Sequence, residues 1–286
     1  MAQHSIEILT DSTCDIPEAL IQQYQIKVLP HYIIWGEKQF RDRIDLQAEA
    51  FYQRLVKDPV YPSSAHVTEE EYRQAFLAAK NNGAQEIITI TISSAMSGAY
   101  QAAMNAAKTV DLPIHILDGK GPTMTLGWQV LKAARLRDVG EPVSRILEEV
   151  DLVRKKMVQY VSMNSMEYLY KGGRIGNATR LIGSLLDIKP LVYIDHATGL
   201  VEASGVTRTF KKAVGTLYDK FFKSLSSHKN LRIAVLHGNL LGEAEKLADR
   251  ITKEFSPQEL IINMTGPVLG INTGPGALAL CGYPDE

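Results

Sequence analysis

Compact β-branched runs alternate with segments of helical spacing through the first half of the chain. Residues 6–10, 86–92 and 114–117 have strand length and end in polar turns. Residues 97–108 and 123–135 read as the helices that follow two of them. Thr68-Glu69-Glu70-Glu71 has the spacing of a capping box, and Tyr72, Ala75, Phe76 and Ala79 continue it on one helical face until Gly83. Asp15, with Glu18 three residues on, reads as a second helix start. Asp45 reads as the cap of a helix carrying Phe51, Leu55 and Val56. Pro30 interrupts the strand-like residues 25–34, which marks an edge or broken strand before the turn at Gly36-Glu37. Gly140-Glu141-Pro142 breaks the chain before a helix over 143–156. Strand and helix in alternation predict a doubly wound, mostly parallel sheet.

The pattern changes in the second half. Residues 189–194 and 200–206 are strands joined by Asp195-His196-Ala197-Thr198-Gly199, a hairpin-length turn. A helix over 210–225, a strand over 232–236 and an amphipathic helix over 240–255 follow, then short strands over 260–263 and 268–271. This half reads as α+β with antiparallel pairing. The chain therefore divides into an α/β domain over 1–160 and an α+β domain over 161–286.

A chain of 286 residues can bury a large core, in one large domain or two. Its 31 basic and 32 acidic residues leave a formal charge of −1, so no overall field favours nucleic acid. Cys14 and Cys281 are the only cysteines, too few for a disulfide framework or a thiolate metal site. Met1-Ala2-Gln3-His4 leads straight into the first strand without a basic and apolar leader, and no apolar run reaches the length of a membrane span. These features predict a soluble cytoplasmic protein with no stable membrane insertion.

Three hydroxyl-rich segments fall where a parallel sheet places ligands, at strand ends and helix starts. Thr10-Asp11-Ser12-Thr13-Cys14-Asp15 ends the first strand, Pro62-Ser63-Ser64-Ala65-His66 precedes the capping box, and Ser93-Ser94-Ala95-Met96-Ser97-Gly98 lies between a strand and a helix. Each equally suits an ordinary turn. Ser93-Ser94 is not a nucleophile elbow, since the first glycine of that pattern is missing. Gly119-Lys120-Gly121 is not a P-loop, because Gly follows the Lys. The seven histidines lack metal-ligand spacing, His237 fits a structural role, and Trp35 and Trp128 fit the core or a pocket wall. Lys171-Gly172-Gly173-Arg174-Ile175-Gly176 sets two cations and a flexible turn beside an apolar helical segment running through Ile182-Gly183 and Asp187-Ile188-Lys189 to Pro190. It can hold an anion or a partner, and it also suits a helix C-cap. Gly270-Ile271-Asn272-Thr273-Gly274-Pro275-Gly276 suggests close approach of backbone to a neighbour.

Together these segments resemble the DegV family of lipid-binding proteins. The resemblance is carried by Thr10-Asp11-Ser12, Ser93-Ser94 with Ser97-Gly98, Tyr168-Leu169 with Gly172-Gly173-Arg174-Ile175-Gly176, Ile188-Lys189-Pro190 and Gly274-Pro275-Gly276, in order along essentially the whole chain. It implies two domains with one long-chain fatty acid in a tunnel between them, and no other cofactor. It also implies a non-catalytic role. Members of this kind present the carboxylate to a separate ATP-dependent fatty acid kinase subunit, which makes the acyl phosphate.

By position, the resemblance assigns Ser63, Ser64, Ser93, Ser94 and Asn272 to the carboxylate, and Arg174 and Arg208 to the kinase partner. Ser63 stands where the family usually has Thr. Ala65-His66 replaces the usual Gln-Pro, and Asn272 stands where the family typically has His. An amide can donate a hydrogen bond but cannot become cationic near neutral pH, as imidazole can. Two alternatives stay open: a small-molecule phosphotransferase or hydrolase using the same serine loops, and a sensor of a polar ligand.

Overall fold

The computed structural model describes residues 5–181 and 188–286. Ile182, Gly183 and Asp187 of the apolar segment before Pro190 lie outside the described residues.

The first half runs β1 (Ile6–Asp11), α1 (Glu18–Gln23), β2 (Lys27–Leu29), β3 (Tyr32–Trp35), β4 (Lys38–Arg41), α2 (Ala48–Leu55), β5 (Ser63–Ala65), α3 (Glu69–Asn81), β6 (Glu86–Thr91), α4 (Ala99–Ala107), β7 (Ile114–Asp118), α5 (Met124–Asp138) and α6 (Val143–Lys156). Four of these strands form a parallel sheet in the order β2-β1-β6-β7. A small antiparallel sheet, β4-β3-β5, stands beside it. Pro30 does split its segment, into β2 and β3.

The second half runs β8 (Val158–Ser162), α7 (Glu167–Gly172), a 3₁₀ turn (Gly176–Leu181), β9 (Lys189–Asp195), β10 (Leu200–Thr207), α8 (Phe210–Ser224), β11 (Leu231–His237), α9 (Leu241–Phe255), β12 (Glu259–Met264), α10 (Pro267–Thr273) and β13 (Leu278–Pro284). Its six strands are ordered β10-β9-β8-β13-β11-β12. All pairs are antiparallel except β11 with β12, which are parallel across the α9 crossover. The expected division between residues 160 and 161 falls inside β8.

The layers follow from which faces are apolar. Helices α3 and α4 cover the outer face of the parallel sheet with Tyr72, Phe76, Ala102 and Ala106. Helices α8 and α9 cover the outer face of the second sheet with Leu217, Phe221, Leu247 and Ile251. The two inner faces share one core with α5 between them. Eleven of the fifteen residues of α5 are buried, a pattern that a helix with a solvent face cannot show. Gly127 allows its tight fit, since a Cβ there would lie 2.5 Å from the Cys14 carbonyl oxygen.

Three local expectations are corrected. Asp15 does not cap a helix. It adopts φ 48°, Pro17 keeps Ile16 out of helical conformation, and α1 begins only at Glu18. The Asp45 carboxylate accepts from the Arg41 backbone N–H and guanidinium instead of capping α2, whose N-cap is Gln47. Residues 268–271 are not a strand but lie within α10, which starts with Pro267 at its first turn. A four-residue apolar run has no period by which to tell the two apart. The C-terminal strand β13, central to the second sheet, was missed with it. The capping box at Thr68 and Glu71 forms as expected, with both reciprocal hydrogen bonds present.

Candidate functional site

Alternation along the inner face of the second sheet makes one wall of a cavity. Val161 and Met163, Val192 and Ile194, Val201, Leu236, and Ala277 and Ala279 come from five strands and all point the same way. The opposite wall is built from the carboxyl ends of the parallel strands and the segments beyond them: His31 after β2, Ile92 and Met96 after β6, and Pro122 and Thr123 after β7. Leu169, Val268 and Leu269 close the side. The cavity encloses about 1010 Å³, counting the open space at its mouth.

Polar groups gather where β5, α7 and α10 pack together. Ser64, His66, Ser97, Arg174, Asn272 and Thr273 line this end, with His31 and Thr265 nearby. Asn272 donates from Nδ2 to the Val268 carbonyl at 3.1 Å, which uses one of its two amide hydrogens. Its Oδ1 is buried and has no hydrogen-bond partner among the described residues. Arg174 donates to the Gly172 carbonyl at 2.7 Å and to the Met96 carbonyl at 3.4 Å, spanning the two halves of the chain at the cavity mouth. Gly173 ends α7 in the left-handed conformation, so the C-cap reading of this segment holds beside its cavity position.

Of the five residues expected at a carboxylate, Ser64 and Asn272 line the cavity. Ser63 is exposed on β5. Ser93 is fully buried, and its hydroxyl donates to the Gly199 carbonyl at 2.8 Å, fastening the β9–β10 hairpin to the first sheet. Ser94 is exposed and donates to the Asp118 carboxylate. Arg208 lies exposed beyond the end of β10, outside the cavity lining.

Beneath the polar end lies a buried network from the first hydroxyl-rich segment. The Ser12 hydroxyl donates to Asp42 at 2.6 Å and accepts from the His31 backbone N–H at 3.0 Å. Asp11 accepts from the Thr13 hydroxyl and the Ile92 N–H, and His31 Nε2 is 3.5 Å from its carboxylate. Burial alone would raise the Asp11 carboxyl, but His31 and these donors hold it below the usual range. Asp15 and Asp42 are different. Burial outweighs Arg43 and the backbone donor at Asp15 and pushes that carboxyl up to about 7, and burial pushes Asp42 up to about 6. Both side chains accept from the start of α10, Asp15 from Gly266 N–H and Asp42 from Val268 N–H.

Sequence reasoning overlooked His31, Thr123 and Gln159 as cavity residues. His31 and Thr123 carried one usable signal, since each follows a parallel strand at its carboxyl end. Cys14 and Cys281 are buried free thiols pushed up to about 12 by burial. Among the described residues no His, Cys, Asp and Glu side chains cluster as a metal site, and no helix is long and apolar enough to cross a membrane.

A family model described as "Uncharacterised protein, DegV family" matches residues 5–285. A DegV domain-containing protein of Listeria innocua is 31% identical over 277 residues, covering 96% of this chain and 97% of its own. Among solved structures, a DegV family protein from Thermus thermophilus, described for its fatty acid binding, superposes with a TM-score of 0.90 at 26% identity, covering 98% of this chain and 99% of the other. DegV of Bacillus subtilis, described as a fatty acid binding protein, gives a TM-score of 0.88 at 28% identity over the same shares. The two-sheet fold is common to all three chains.

Proposed function

This chain belongs to the DegV family, and we propose that it binds one long-chain fatty acid, with the acyl chain in the cavity and the carboxylate at Ser64 and Asn272. The observation that carries this reading is the cavity's asymmetry: a wall of aliphatic side chains from five strands, ending in a cluster of hydroxyl, amide, imidazole and guanidinium groups. Burying about fourteen methylenes at ~0.8 kcal/mol each releases roughly 10 kcal/mol as an upper limit. The head-group donors need only satisfy the carboxylate, whose burial without partners would be expensive. Affinity then resides in the tunnel and orientation in its polar end.

The finer reading is a carrier that presents the carboxylate to a separate ATP-dependent kinase subunit. Its support is the position of Arg174, exposed at the mouth where a docked protein would meet the head group, with Arg208 exposed as a second cation. Ser93 and Ser94 are outside the cavity lining, with their hydroxyls committed to Gly199 and Asp118. That commitment favours a carrier over a hydrolase, which needs a serine aimed at a substrate and a base beside it. The unpaired thiols fit a reducing cytoplasm.

Denaturing the purified protein, extracting it with organic solvent and weighing the extract by mass spectrometry tests the central reading. Near-stoichiometric fatty acid is the expected result. An empty extract, with no uptake of added fatty acids, would overturn it.

A further inference from the structure

One part of the cavity wall does not suit a plain hydrocarbon. Gln159 and Thr123 both line it, and both are nearly inaccessible, at 2% and 6% exposure. Gln159 sits four residues before Met163 on the inward face of β8, about 13 Å away at ~3.3 Å per residue. The Met163 end adjoins the loop that follows α10, where Asn164 Nδ2 donates to the Pro275 carbonyl at 3.2 Å. Gln159 therefore lies toward the end of the wall remote from Asn272, beside Cys281 on the neighbouring strand β13.

The pair is held firmly yet is incompletely satisfied. Gln159 Oε1 accepts from the Thr125 hydroxyl, and Nε2 donates to Thr123 Oγ1 at 3.1 Å. Among the described residues, no acceptor meets the second Nε2 hydrogen or the Thr123 hydroxyl hydrogen. Thr123 is also held at φ 56° and ψ −140°, a backbone region that β-branched residues avoid, with its N–H donating to the Thr13 carbonyl at 2.9 Å. A tunnel built only for methylenes gains nothing from a strained hydroxyl and a carboxamide in its wall, and leaving such donors unmet in an apolar site is unfavourable.

On the reading of this cavity as a fatty-acid site, we infer that Gln159 and Thr123 form a second polar subsite that selects acyl chains bearing an oxygen substituent far from the carboxylate. A hydroxyl or keto oxygen on the chain accepts from the two spare donors. The head group stays at Ser64 and Asn272, so the two ends of the cavity read two features of one ligand.

The test compares octadecanoic acid with its 2-hydroxy and 12-hydroxy derivatives by equilibrium binding to delipidated protein. The 12-hydroxy acid is expected to bind about tenfold tighter than the plain acid, and the 2-hydroxy acid to show no such gain. Gln159→Met and Thr123→Val should each remove most of that ratio, and Thr123→Ser, which keeps the hydroxyl, should retain it. If octadecanoic acid binds and the 12-hydroxy acid binds no better, the subsite is overturned while the carrier reading stands. A ratio that survives both Gln159→Met and Thr123→Val also overturns it. Binding of none of the acids overturns the carrier reading, and this inference with it.

Discussion

The backbone N–H of Gly266 donates to the buried carboxyl of Asp15 at 2.9 Å, joining residues 251 positions apart. Asp42 makes the matching contact to Val268 N–H, so two side chains of the first half hold the start of α10, which carries Asn272 to the cavity. Burial makes the proton on Asp15 part of the folded state, with the carboxyl raised from 3.8 to about 7. Between those values the folded chain keeps a proton that the unfolded chain has released. Stability therefore falls as pH rises through this window and levels off above about 7, with a slope of up to ~1.4 kcal/mol per pH unit for each such group. Asp42, raised to about 6, adds to the fall over a narrower range. Asp15→Asn keeps an oxygen for Gly266 and cannot ionise. Urea midpoints measured from pH 4.5 to 8 should fall less steeply in Asp15→Asn than in the wild type. Parallel slopes would show that Asp15 is ionised throughout.

The hydroxyls at 63 and 64 separate two roles that sequence alone merges. Ser64 lines the cavity and Ser63 is exposed. Ser64→Ala should weaken fatty acid binding by roughly three- to thirtyfold, the loss of one hydrogen bond to a charged group at ~1.5–3 kcal/mol discounted for water that can replace it. Ser63→Ala should leave the dissociation constant within experimental error. Equal losses in both, by fluorescence competition, would mean that β5 shifts when the ligand enters.

What the sequence disclosed was mostly local. The Thr68–Glu71 capping box needs only four residues to be recognised, and it forms. The strands of the parallel sheet and the β9–β10 hairpin were visible because each carries its own period and turn. Helix α10 was not, because part of what holds its start is supplied by Asp15 and Asp42, far away in the chain. The same distance hid the buried role of Asp15, whose local pattern imitates a helix cap. His31 is a lone histidine after a proline, with only its place after a strand's carboxyl end to suggest a ligand site, and the assembled sheet is what sets it in the cavity lining.

Arg174 and Arg208 lead to a prediction about use rather than capture. Arg174 stands at the mouth, and Arg208 lies outside the lining. Arg174→Ala and Arg208→Ala should each retain fatty acid binding within about threefold, since exposed charges contribute little to a ligand held mainly by apolar burial. Transfer of phosphate to the bound acid by a partner kinase should fall by at least tenfold. If Arg174→Ala releases the fatty acid while a kinase still docks, Arg174 belongs to the head-group site instead.

Gly172 and Asn272 provide a test of the site's packing that does not depend on a partner. A Cβ on Gly172 would lie 2.0 Å from Asn272 Oδ1, a separation that forces the amide to move. Asn272 is tethered by its bond to the Val268 carbonyl, so the clash cannot be relieved without cost. Gly172→Ala should destabilise the protein by about 1–3 kcal/mol, as overpacking does, and should weaken fatty acid binding with it. Asn272→Ala alone should cost about 0.5–1.5 kcal/mol for the lost hydrogen bond. In the double variant the clash is gone, so its stability should match that of Asn272→Ala alone. The cycle, measured by urea denaturation, should therefore show a coupling of about 1–3 kcal/mol between the two positions. Additive effects would mean that α7 and α10 move apart freely at this point, and that Asn272 is not held against Gly172 in solution.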